Sequence, residues 1–535
     1  MQNELAPVGS EVQTETQTLL LPEGKLWSRP AGEETKTETE DKPPARVKVV
    51  QREQMVLRPL EVEKLIGPEH PARAIWDLVG ERDLKPFYAA IEAVEGHAGR
   101  SPHDPQLLIS LWLYSYMQGI ASGREIERRC SYDPAYMWLT GAEKVCAHTL
   151  TDYRTAHGEG LKNLFIQVLA VLEQEGMVDL QQVTQDGTKI GAAAGADTFR
   201  RKKTLVEHLE RAKQRVEELS QADEKENETR TQQAWAAQKR GAKERWERLE
   251  QALREIEALE KEAKEPEKVR VSMTDPEARN MKQSNHGFAP SYNAQFTTDA
   301  KKIVIVSVEV TQDSNDAEQL QPAMERVEEE AGQAPQQVLA DGGYTSRNNI
   351  VEMDKKHIDL IGPVPDGTAQ KETLFKIRGV TEEFRPEAFV FDAEKNCYTC
   401  PAGKSLPYQR KHQQRGQTKY TYEAAQQDCQ GCAHRGQCCP TSQHGRSIVR
   451  GEDSAEVKKF REKMATEAAQ QAYKKRGAVA EFPHLCIKER FGVRRFSVRG
   501  RTKVNVEGLW LALTFNVQQW IRLCWKPRQL QMQEV

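Results

Sequence analysis

Two aspartates stand at comparable places in the sequence, each after a short apolar run typical of a strand and each followed by glycine. The first is Asp186, in Asp-Gly-Thr, and the second is Asp341, in Asp-Gly-Gly-Tyr. Residues at the carboxyl ends of strands face the functional rim of an α/β sheet. Glycine after the acid lets the backbone turn or lets a large ligand approach. One Asp-Gly dipeptide usually marks only a turn, whereas two of them after apolar runs favour a shared site.

A third acid, Glu481, lies near Tyr473, Arg476 and Lys488. Glu481 and Lys488 are seven residues apart, so on a helix they would share one face. A carboxylate and a cation on one face could meet a metal ion and a phosphate together. Taken alone, this segment is better explained as an ordinary surface helix of mixed charge.

Three carboxylates suit one chemistry in particular. Phosphodiester hydrolysis at neutral pH needs an activated water and a stabilised leaving oxygen, and two Mg²⁺ ions about 3.5–4 Å apart supply both. Mg²⁺ prefers hard oxygen ligands and keeps several waters, so a few carboxylates suffice. The acids therefore predict a two-metal site for phosphodiester chemistry.

The surrounding pattern predicts the elements that would position these acids. Strand and helix signals alternate between residues 181 and 364, which indicates a mixed α/β sheet. Helical periodicity dominates residues 46–175, and a two-helix hairpin with its turn near Asp223–Thr229 is predicted within 200–270. Residues 366–450 are polar, Cys-bearing and irregular in pattern, and 455–525 are helical again.

Charge is unevenly distributed along the 535 residues, although the net charge is only −3. Residues 1–45 carry four basic and nine acidic side chains with few large apolar groups, which predicts a disordered arm. Residues 488–535 carry ten basic and three acidic side chains, a balance that suits phosphate contact. No apolar run is long enough to span a membrane and no export signal is present, so we expect a cytoplasmic protein.

Six of the ten cysteines cluster between residues 397 and 439. Cys397 and Cys400 form one C-x₂-C pair, and Cys429 and Cys432 form another, the spacing of zinc knuckles. We predict one structural zinc ion on these four thiolates, with the pair Cys438–Cys439 offering a substitute ligand. The alternative is a set of reduced free cysteines.

The ordered motifs resemble those of bacterial insertion-sequence transposases with a ribonuclease-H-like DDE core, over most of residues 50–525. The helical part contributes Arg100–Pro105, Ser122–Ile126, Trp138-Leu139, His148-Thr149 and Arg154. The remainder contributes Asp186–Lys189, Asp275–Arg279, Tyr292–Gln295, Ala340–Tyr344, Glu481–Lys488, Arg495-Phe496, Arg499-Gly500, Lys503, Glu507 and Asn516.

The resemblance implies an α/β fold: a ribonuclease-H-like mixed sheet with helices in a catalytic domain over 176–525, preceded by an all-α helix-turn-helix-like DNA-binding domain over 46–175. It implies that the helical hairpin and the Cys-rich segment interrupt this catalytic domain. Asp186, Asp341 and Glu481 would bind two Mg²⁺ ions, for which Mn²⁺ substitutes. Tyr473, Arg476, Glu481 and Lys488 would form a Tyr-Arg-Glu-Lys signature, although four residues separate Arg476 from Glu481 where the signature has three.

The function implied is binding of the element's terminal inverted repeats in double-stranded DNA, followed by cleavage and strand transfer. A homodimer in the DNA complex and association with the nucleoid are expected with it. The alternatives are a catalytically inactive DNA-binding descendant and a simple ribonuclease-H-like nuclease. Glu489 and Glu507 are the rival candidates for the third acid.

Further residues receive more ordinary interpretations. Asp316 is predicted to cap the helix after a strand, and Asn293 and Gln295 are predicted to pack within the sheet near the site. Trp510 and Trp520 are expected in the core. The basic cluster Arg494, Arg495, Arg499, Arg501 and Lys503 is equally compatible with phosphate contact and with a solvated surface.

Overall fold

A computed structural model describes residues 59–91, 101–221, 232–364, 368–414 and 417–533. The arm expected over residues 1–45 and the hairpin turn expected near Asp223–Thr229 lie outside these ranges.

Seven helices form the first part of the described chain. They are α1 (Pro71–Gly80), α2 (Lys85–Tyr88), α3 (Pro105–Met117), α4 (Gly123–Arg129), α5 (Pro134–Thr140), α6 (Ala147–Ala156) and α7 (Gly158–Gln174). The carboxylates of Asp104 and Asp133 cap α3 and α5, each of which begins with proline. Ser122 caps α4, because its side chain accepts a hydrogen bond from the Glu125 amide. The helical character predicted for this region is therefore confirmed.

A six-stranded mixed sheet follows the helices. Its strands are β1 (Gln182–Gly191), β4 (Arg279–Lys282), β5 (Phe288–Asp299), β6 (Val304–Thr311), β7 (Gln337–Ala340) and β8 (Asp359–Ile361), with β2 (Phe199–Arg200) and β3 (Val271–Ser272) paired separately. β1 is central: it pairs antiparallel with β5 and parallel with β7. Helices α10 (Leu320–Ala331) and α11 (Arg347–Lys355) make the crossovers that parallel strands require. The mixed sheet predicted from the sequence is confirmed.

The predicted hairpin is present as α8 (Lys202–Gln221) and α9 (Gln232–Glu262). Leu205 and Leu209 of α8 pack against Leu249, Ala252 and Ile256 of α9 in a hydrophobic cluster of their own. The hairpin lies between β2 and β3, which pair with each other outside the six-stranded sheet, so it does not interrupt the central strands.

The segment after β8 differs from the irregular structure predicted for residues 366–450. After α12 (Thr368–Ile377) it forms a five-stranded antiparallel sheet of β9 (Val390–Asp392), β10 (Cys397–Thr399), β11 (Ser405–Gln414), β12 (Gln417–Glu423) and β13 (Ser447–Asp453), with short helices α13 (Gln426–Gln430) and α14 (Arg435–Cys438). Its core is small, centred on Leu406, Tyr422 and Ile448. Polar side chains occupy most other strand positions, which hid the strands from a pattern-based interpretation.

The chain then returns to the main core through α15 (Ala455–Met464), α16 (Glu467–Lys474), α17 (Arg476–Leu485), α18 (Arg501–Trp520) and α19 (Lys526–Gln533). Trp510 and Trp520 of α18 are buried, as predicted. Helix α18 packs against β6 on one side and against α3 and α7 on the other. It therefore joins the helical region to the sheet, and residues 61–535 form one compact unit.

A buried polar network marks this junction. Glu507 of α18 accepts hydrogen bonds from Tyr116 of α3 (3.2 Å) and from the Ser497 hydroxyl (2.6 Å), and it lies 3.7 Å from the Arg154 guanidinium of α6. The Arg154 side chain is 5% exposed and the Glu507 side chain 1%. Three separate parts of the chain thus share one buried carboxylate.

The edge of β1 is extended by a later part of the chain. The amide of Gly191 donates to the Arg494 carbonyl (3.0 Å), and the amide of Phe496 donates to the Gly191 carbonyl (2.8 Å). The exposed basic cluster that begins at Arg494 is therefore fixed to the strand that carries Asp186. None of the helices in the described ranges combines the length and apolar character of a membrane span.

Candidate active site

Asp186 and Asp341 lie side by side because of the register of two parallel strands. Gln185 of β1 is paired with Ala340, the last residue of β7, so the next residue of each chain segment is an aspartate. Asp341 follows the end of its strand, as predicted. Asp186 does not end a strand, as the sequence suggested: β1 continues to Gly191, because those residues pair with β5.

The glycines beside the two acids are explained by close packing. A Cβ at Gly187 would lie 2.4 Å from Gln295 Nε2 and 2.8 Å from Asp316 Oδ1, so a side chain there would displace both. A Cβ at Gly343 would lie 3.0 Å from Asp341 Oδ1. Gly187 is therefore needed for the approach of neighbouring side chains within the sheet, whereas the glycines after Asp341 form a turn.

Helix α17 places two basic side chains against the acids. The Arg476 guanidinium lies 3.1 Å from Asp186 Oδ1 and 3.8 Å from Asp341 Oδ2, so it links the two carboxylates. His484 Nδ1 lies 3.8 Å from Asp186 Oδ2. Arg476 was predicted at the site, while His484 was not singled out. Its position eight residues after Arg476, on the same side of a helix, was the available signal.

Burial controls the charge state of this group. Burial raises the pKa of Asp186 to about 6, against the opposing effect of Arg476, and the negative charges of Asp341 and Asp316 act in the same direction as burial. Burial, with the positive charges of Lys488 and Arg476, lowers the pKa of His484 to about 3. His484 is therefore neutral at pH 7, and its contact with Asp186 is not an ion pair.

Lys488 lies on the same face of β1 as Asp186. Its ammonium group donates a hydrogen bond to the Thr188 hydroxyl, two residues along β1, and burial lowers the pKa of Lys488. Lys488 lies in a π-helical turn, Cys486–Arg490, which follows Pro483 in α17. Such turns are frequent at functional sites. Because of this turn, ideal α-helical spacing does not describe how Glu481 and Lys488 are related.

Glu481 is placed differently from the two aspartates. It lies on α17 between Arg476 and His484, but its side chain is exposed. Across the described residues, no three His, Cys, Asp or Glu side chains are grouped as ligands of one metal ion. The structure thus brings Asp186 and Asp341 together through Arg476 and leaves Glu481 at the solvent side of the same helix.

The remaining residues of the proposed signature and the rival acids are also located. Tyr473 packs on Leu339 in β7, the strand that leads to Asp341, and on Ile361 in the next strand, β8. Glu489 is exposed and forms an ion pair with Arg494. Glu507 lies in the buried network at the junction with the helical region. Among the described contacts, none joins Glu489, Glu507 or Glu481 to the aspartates, so the choice of Glu481 as the third acid stays a prediction from the motif.

A buried polar network lies next to the strands that carry the aspartates. The sequence predicted only that its member Gln295 packs within the sheet near the site. The Gln185 amide donates to Gln295 Oε1 (2.8 Å), the Tyr344 hydroxyl donates to the same oxygen (2.5 Å), and the Gln295 amide donates to Asp316 Oδ1 (2.7 Å). Gln185, Gln295 and Tyr344 are fully buried. Buried polar groups that are hydrogen-bonded in this way hold their neighbours in fixed positions.

The cysteines gather unevenly around a second site. Cys400, Cys429 and Cys432 line one small cavity of about 30 Å³ together with Cys438 and Cys439, whereas Cys397 on β10 does not line it. Two backbone amides point at the sulfurs: Lys404 donates to Cys400 Sγ (3.2 Å) and Arg446 donates to Cys429 Sγ (3.4 Å). Burial raises the pKa of the Cys438 thiol to about 12. Three of the four predicted ligands are thus close together.

Comparisons with known proteins match two separate parts of the chain. A family described as "Transposase domain (DUF772)" matches residues 60–156, and a family described as "Transposase DDE domain" matches residues 399–521. The second range includes Glu481 and Lys488. Asp186 and Asp341 lie between the two ranges.

A cryo-EM structure of the piggyBac transposase synaptic complex with hairpin DNA is similar over 83% of this chain and 74% of that chain, with 8% sequence identity and a TM-score of 0.29. This likeness is too slight to carry an argument about geometry. A comparison with curated proteins gives no match. The two family matches support the resemblance to DDE transposases of insertion sequences that the motifs indicated.

Proposed function

We propose that this transposase binds the terminal inverted repeats of its own insertion sequence in double-stranded DNA, cleaves the DNA and joins the ends to a target. The catalytic centre is Asp186, Asp341 and Glu481, with Tyr473, Arg476 and Lys488 beside them. The observation that carries the proposal is the juxtaposition of Asp186 and Asp341 at the centre of the mixed sheet, which we interpret as a ribonuclease-H-like core.

The two aspartates suit a divalent cation. Arg476 already acts as a counter-cation between them, and burial raises the pKa of Asp186 against the effect of this arginine. Two Mg²⁺ ions, or Mn²⁺ in their place, would be held by Asp186, Asp341 and Glu481. Bound there, they would activate the attacking oxygen and stabilise the leaving oxygen.

The protein's own side chains then have distinct parts. Arg476 neutralises the aspartates in the DNA-free protein and is positioned to turn to a phosphate when a cation replaces it. Lys488, fixed by Thr188, presents an ammonium group beside Asp186, where a phosphate of the cleaved strand would lie. His484 is neutral and covers one side of Asp186, which limits the access of water. Tyr473 supports the strands under Asp341.

DNA ends are proposed to be recognised through the helical region, the helix-turn-helix-like domain of residues 46–175, and through the basic cluster after α17. In α4, Arg128 and Arg129 are both bound by Glu125, whose pKa these hydrogen bonds lower to about 2. Arg124 is exposed on the same helix. Arg124 is therefore the side chain of this turn best placed to bind a phosphate. We propose that the active complex is a homodimer on DNA, associated with the nucleoid in the cytoplasm.

The Cys-bearing segment is proposed to hold one structural zinc ion. Thiolates are preferred zinc ligands, and backbone amides donate to the sulfurs of Cys400 and Cys429 at the same small cavity. The ligands would be Cys397, Cys400, Cys429 and Cys432. Because Cys397 does not line the cavity, whereas Cys438 and Cys439 do, one of these two cysteines would be the substitute ligand. A zinc ion would stabilise a sheet whose hydrophobic core is small.

The test uses the full-length chain with labelled element ends and supercoiled plasmid. Replacing Asp186, Asp341 or Glu481 by alanine should reduce cleavage and joining by at least about 10³-fold, because such sites derive most of their acceleration from placed charge. DNA binding in a gel-shift assay should persist. Glu489→Ala is the matched control, since Glu489 is a nearby exposed acid that faces Arg494. Activity in all three triad variants would refute the mechanism.

The same assay separates the alternatives. Joined products identify a transposase, nicks alone identify a nuclease, and a gel shift without products identifies a catalytically inactive DNA-binding protein. If Glu481→Ala is active while the aspartate variants are not, the third acid lies elsewhere.

A further inference from the structure

Two cations and an aromatic ring form a row across one face of the five-stranded sheet in the Cys-bearing segment. Lys411 of β11 is paired with Tyr420 of β12, and Tyr420 is paired with Arg450 of β13. Residues directly opposite each other in antiparallel strands lie on the same face of a sheet. These three side chains therefore form one cross-strand row over three neighbouring strands.

Aromatic rings hold both cations of the cross-strand row. The Lys411 ammonium lies 5.6 Å from the centroid of the Tyr420 ring, and the Arg450 guanidinium carbon lies 5.1 Å from the same centroid. The guanidinium also covers the ring of Phe391, with its carbon 4.3 Å from that centroid. Cations are attracted to the faces of aromatic rings. A guanidinium stacked in this way keeps the N–H groups at its edge available for a phosphate.

No carboxylate neutralises the two cations in the part of the chain that the structure describes, where neither Lys411 nor Arg450 has an ion pair or a side-chain hydrogen bond. Glu452, two residues after Arg450, is bound by other groups. It accepts a hydrogen bond from the Tyr420 hydroxyl (3.2 Å) and forms an ion pair with Lys458 (3.6 Å). Two like charges held at one ring repel each other, so the cross-strand row favours an anionic ligand.

The cross-strand row is fixed to the part of the core that carries Asp341. Asp453, three residues after Arg450 on β13, pairs with Arg347 at 2.7 Å and with Arg461 at 2.9 Å. Arg347 begins α11, six residues after Asp341. A ligand bound by the row would therefore be held at a defined position relative to the candidate active site.

We propose that Lys411 and Arg450 bind backbone phosphates of the DNA duplex on which the active site acts, without reading its sequence. This inference rests on the proposed function and adds a contact surface outside the helical region and the basic cluster after α17. Contacts of Arg and Lys with phosphates fix the position of a protein on a duplex. Tyr420 and Phe391 contribute by holding the two cations in place.

The competing explanation is a structural one, in which Arg450 only covers a small aromatic cluster. Phe391 packs against Tyr398 and Tyr422, with centroids 5.0 and 5.8 Å away. Two variants separate the explanations. Arg450→Lys retains the charge and loses the planar group, whereas Arg450→Gln retains a planar polar group and loses the charge. A covering role is impaired more by lysine, and a phosphate contact more by glutamine.

The experiment measures the affinity of the full-length protein for a labelled duplex carrying an element end. Each phosphate contact contributes about 0.9 to the salt dependence, so losing one should reduce the ratio of the affinities at about 50 and 200 mM salt about 3.5-fold. We expect this reduction in Arg450→Gln and in Lys411→Gln, and about twelvefold in the double variant. Arg450→Lys should retain the wild-type ratio, and all variants should retain the wild-type melting temperature.

Lys404→Gln is the matched control, because Lys404 lies in the same segment but is paired with Asp428 at 3.4 Å. Its ratio should equal that of the wild type. A wild-type ratio in both glutamine variants, or an equal reduction in the control, would overturn the proposal. So would an equal reduction in Arg450→Lys and Arg450→Gln accompanied by lower melting temperatures.

The wild-type protein tests the parent proposal separately. If it cleaves and joins DNA while both glutamine variants keep its salt dependence, only the phosphate contact of the cross-strand row is refuted. If the wild-type protein does not bind the duplex at all, the proposed function and this inference both fail.

Discussion

Replacing Glu507 by alanine should destabilise the junction between the helical region and the sheet. The substitution leaves the Arg154 guanidinium, 5% exposed, without its carboxylate, and it removes the acceptor of the Tyr116 hydroxyl and of Ser497. Breaking a buried ion pair from one side typically costs about 3–5 kcal/mol. Arg154 keeps its hydrogen bond to the Ala121 carbonyl, which favours the lower part of that range.

Hydrogen exchange measured by mass spectrometry is the appropriate assay, because local opening can be followed without assuming that the whole chain unfolds in one step. A loss of about 3–5 kcal/mol increases the opening equilibrium by about two to nearly four orders of magnitude. We expect this increase in peptides from α3, α6 and α18. Arg528→Ala is the control, since it removes an exposed ion pair with Glu175 that also links the C-terminal helix to the helical region, and should cost about 0–1 kcal/mol.

The design distinguishes loss of the pair from loss of packing. The double variant Arg154→Met, Glu507→Leu removes both charges and retains volume, so it should be less destabilised than Glu507→Ala alone. An increase in exchange below about tenfold in Glu507→Ala, or a double variant that is worse than the single one, would refute this reasoning. Glu507→Ala is thus unsuitable as a control for the catalytic acids.

Three other predictions follow from the site and its surroundings. The apparent affinity for Mg²⁺ should fall about tenfold per pH unit below about pH 6. The reason is that protons then compete for Asp186, whose pKa is raised to about 6. A Mg²⁺ affinity that calorimetry finds constant between pH 5 and 7 would contradict this. Purified protein should contain about one zinc per chain, lost in Cys429→Ser; less than about 0.2 with reduced cysteines counts against the site. Arg124→Ala should weaken binding to terminal-repeat DNA and reduce the salt dependence by about one phosphate contact, whereas Glu143→Ala, an exposed acid, should not weaken it.

The neighbouring positions of Asp186 and Asp341 could be predicted from the sequence because local rules determine them, whereas their catalytic role stays a prediction. A short apolar run before each aspartate indicates a strand, and right-handed crossovers bring parallel strands together. Adjacent placement of Asp186 and Asp341 follows from these rules. The continuation of β1 beyond Asp186 could not be predicted in this way, since it depends on pairing with β5, about a hundred residues later.

Side-chain direction was the main element that the sequence did not reveal. Asp316 before a helix fits the pattern of a cap, but that prediction is wrong: α10 begins after Gln319 without a side-chain cap, and Asp316 instead accepts hydrogen bonds from Asn293 and Gln295. The π-helical turn after Pro483 changes the angular position of Lys488 relative to Glu481. The sheet of the Cys-bearing segment was missed because its small core gives its strands little hydrophobic alternation.

The hydrogen bonds that join Gly191 to Arg494 and Phe496 fix the distance along β1 between Asp186 and the basic cluster. Asp186 and Gly191 are five positions apart on one strand, a span of about 17 Å at the usual rise per residue. DNA advances about 3.4 Å per base pair, so this span corresponds to roughly five base pairs. A phosphate bound by Arg494 or Arg495 would therefore lie at a constant distance from the cleaved bond, because hydrogen bonds between backbone groups hold these arginines to β1. Chemical footprinting of the cleaved end should show a protected phosphate at that spacing. In Arg495→Ala this protection should be lost, and cleavage should spread over neighbouring positions before its rate falls.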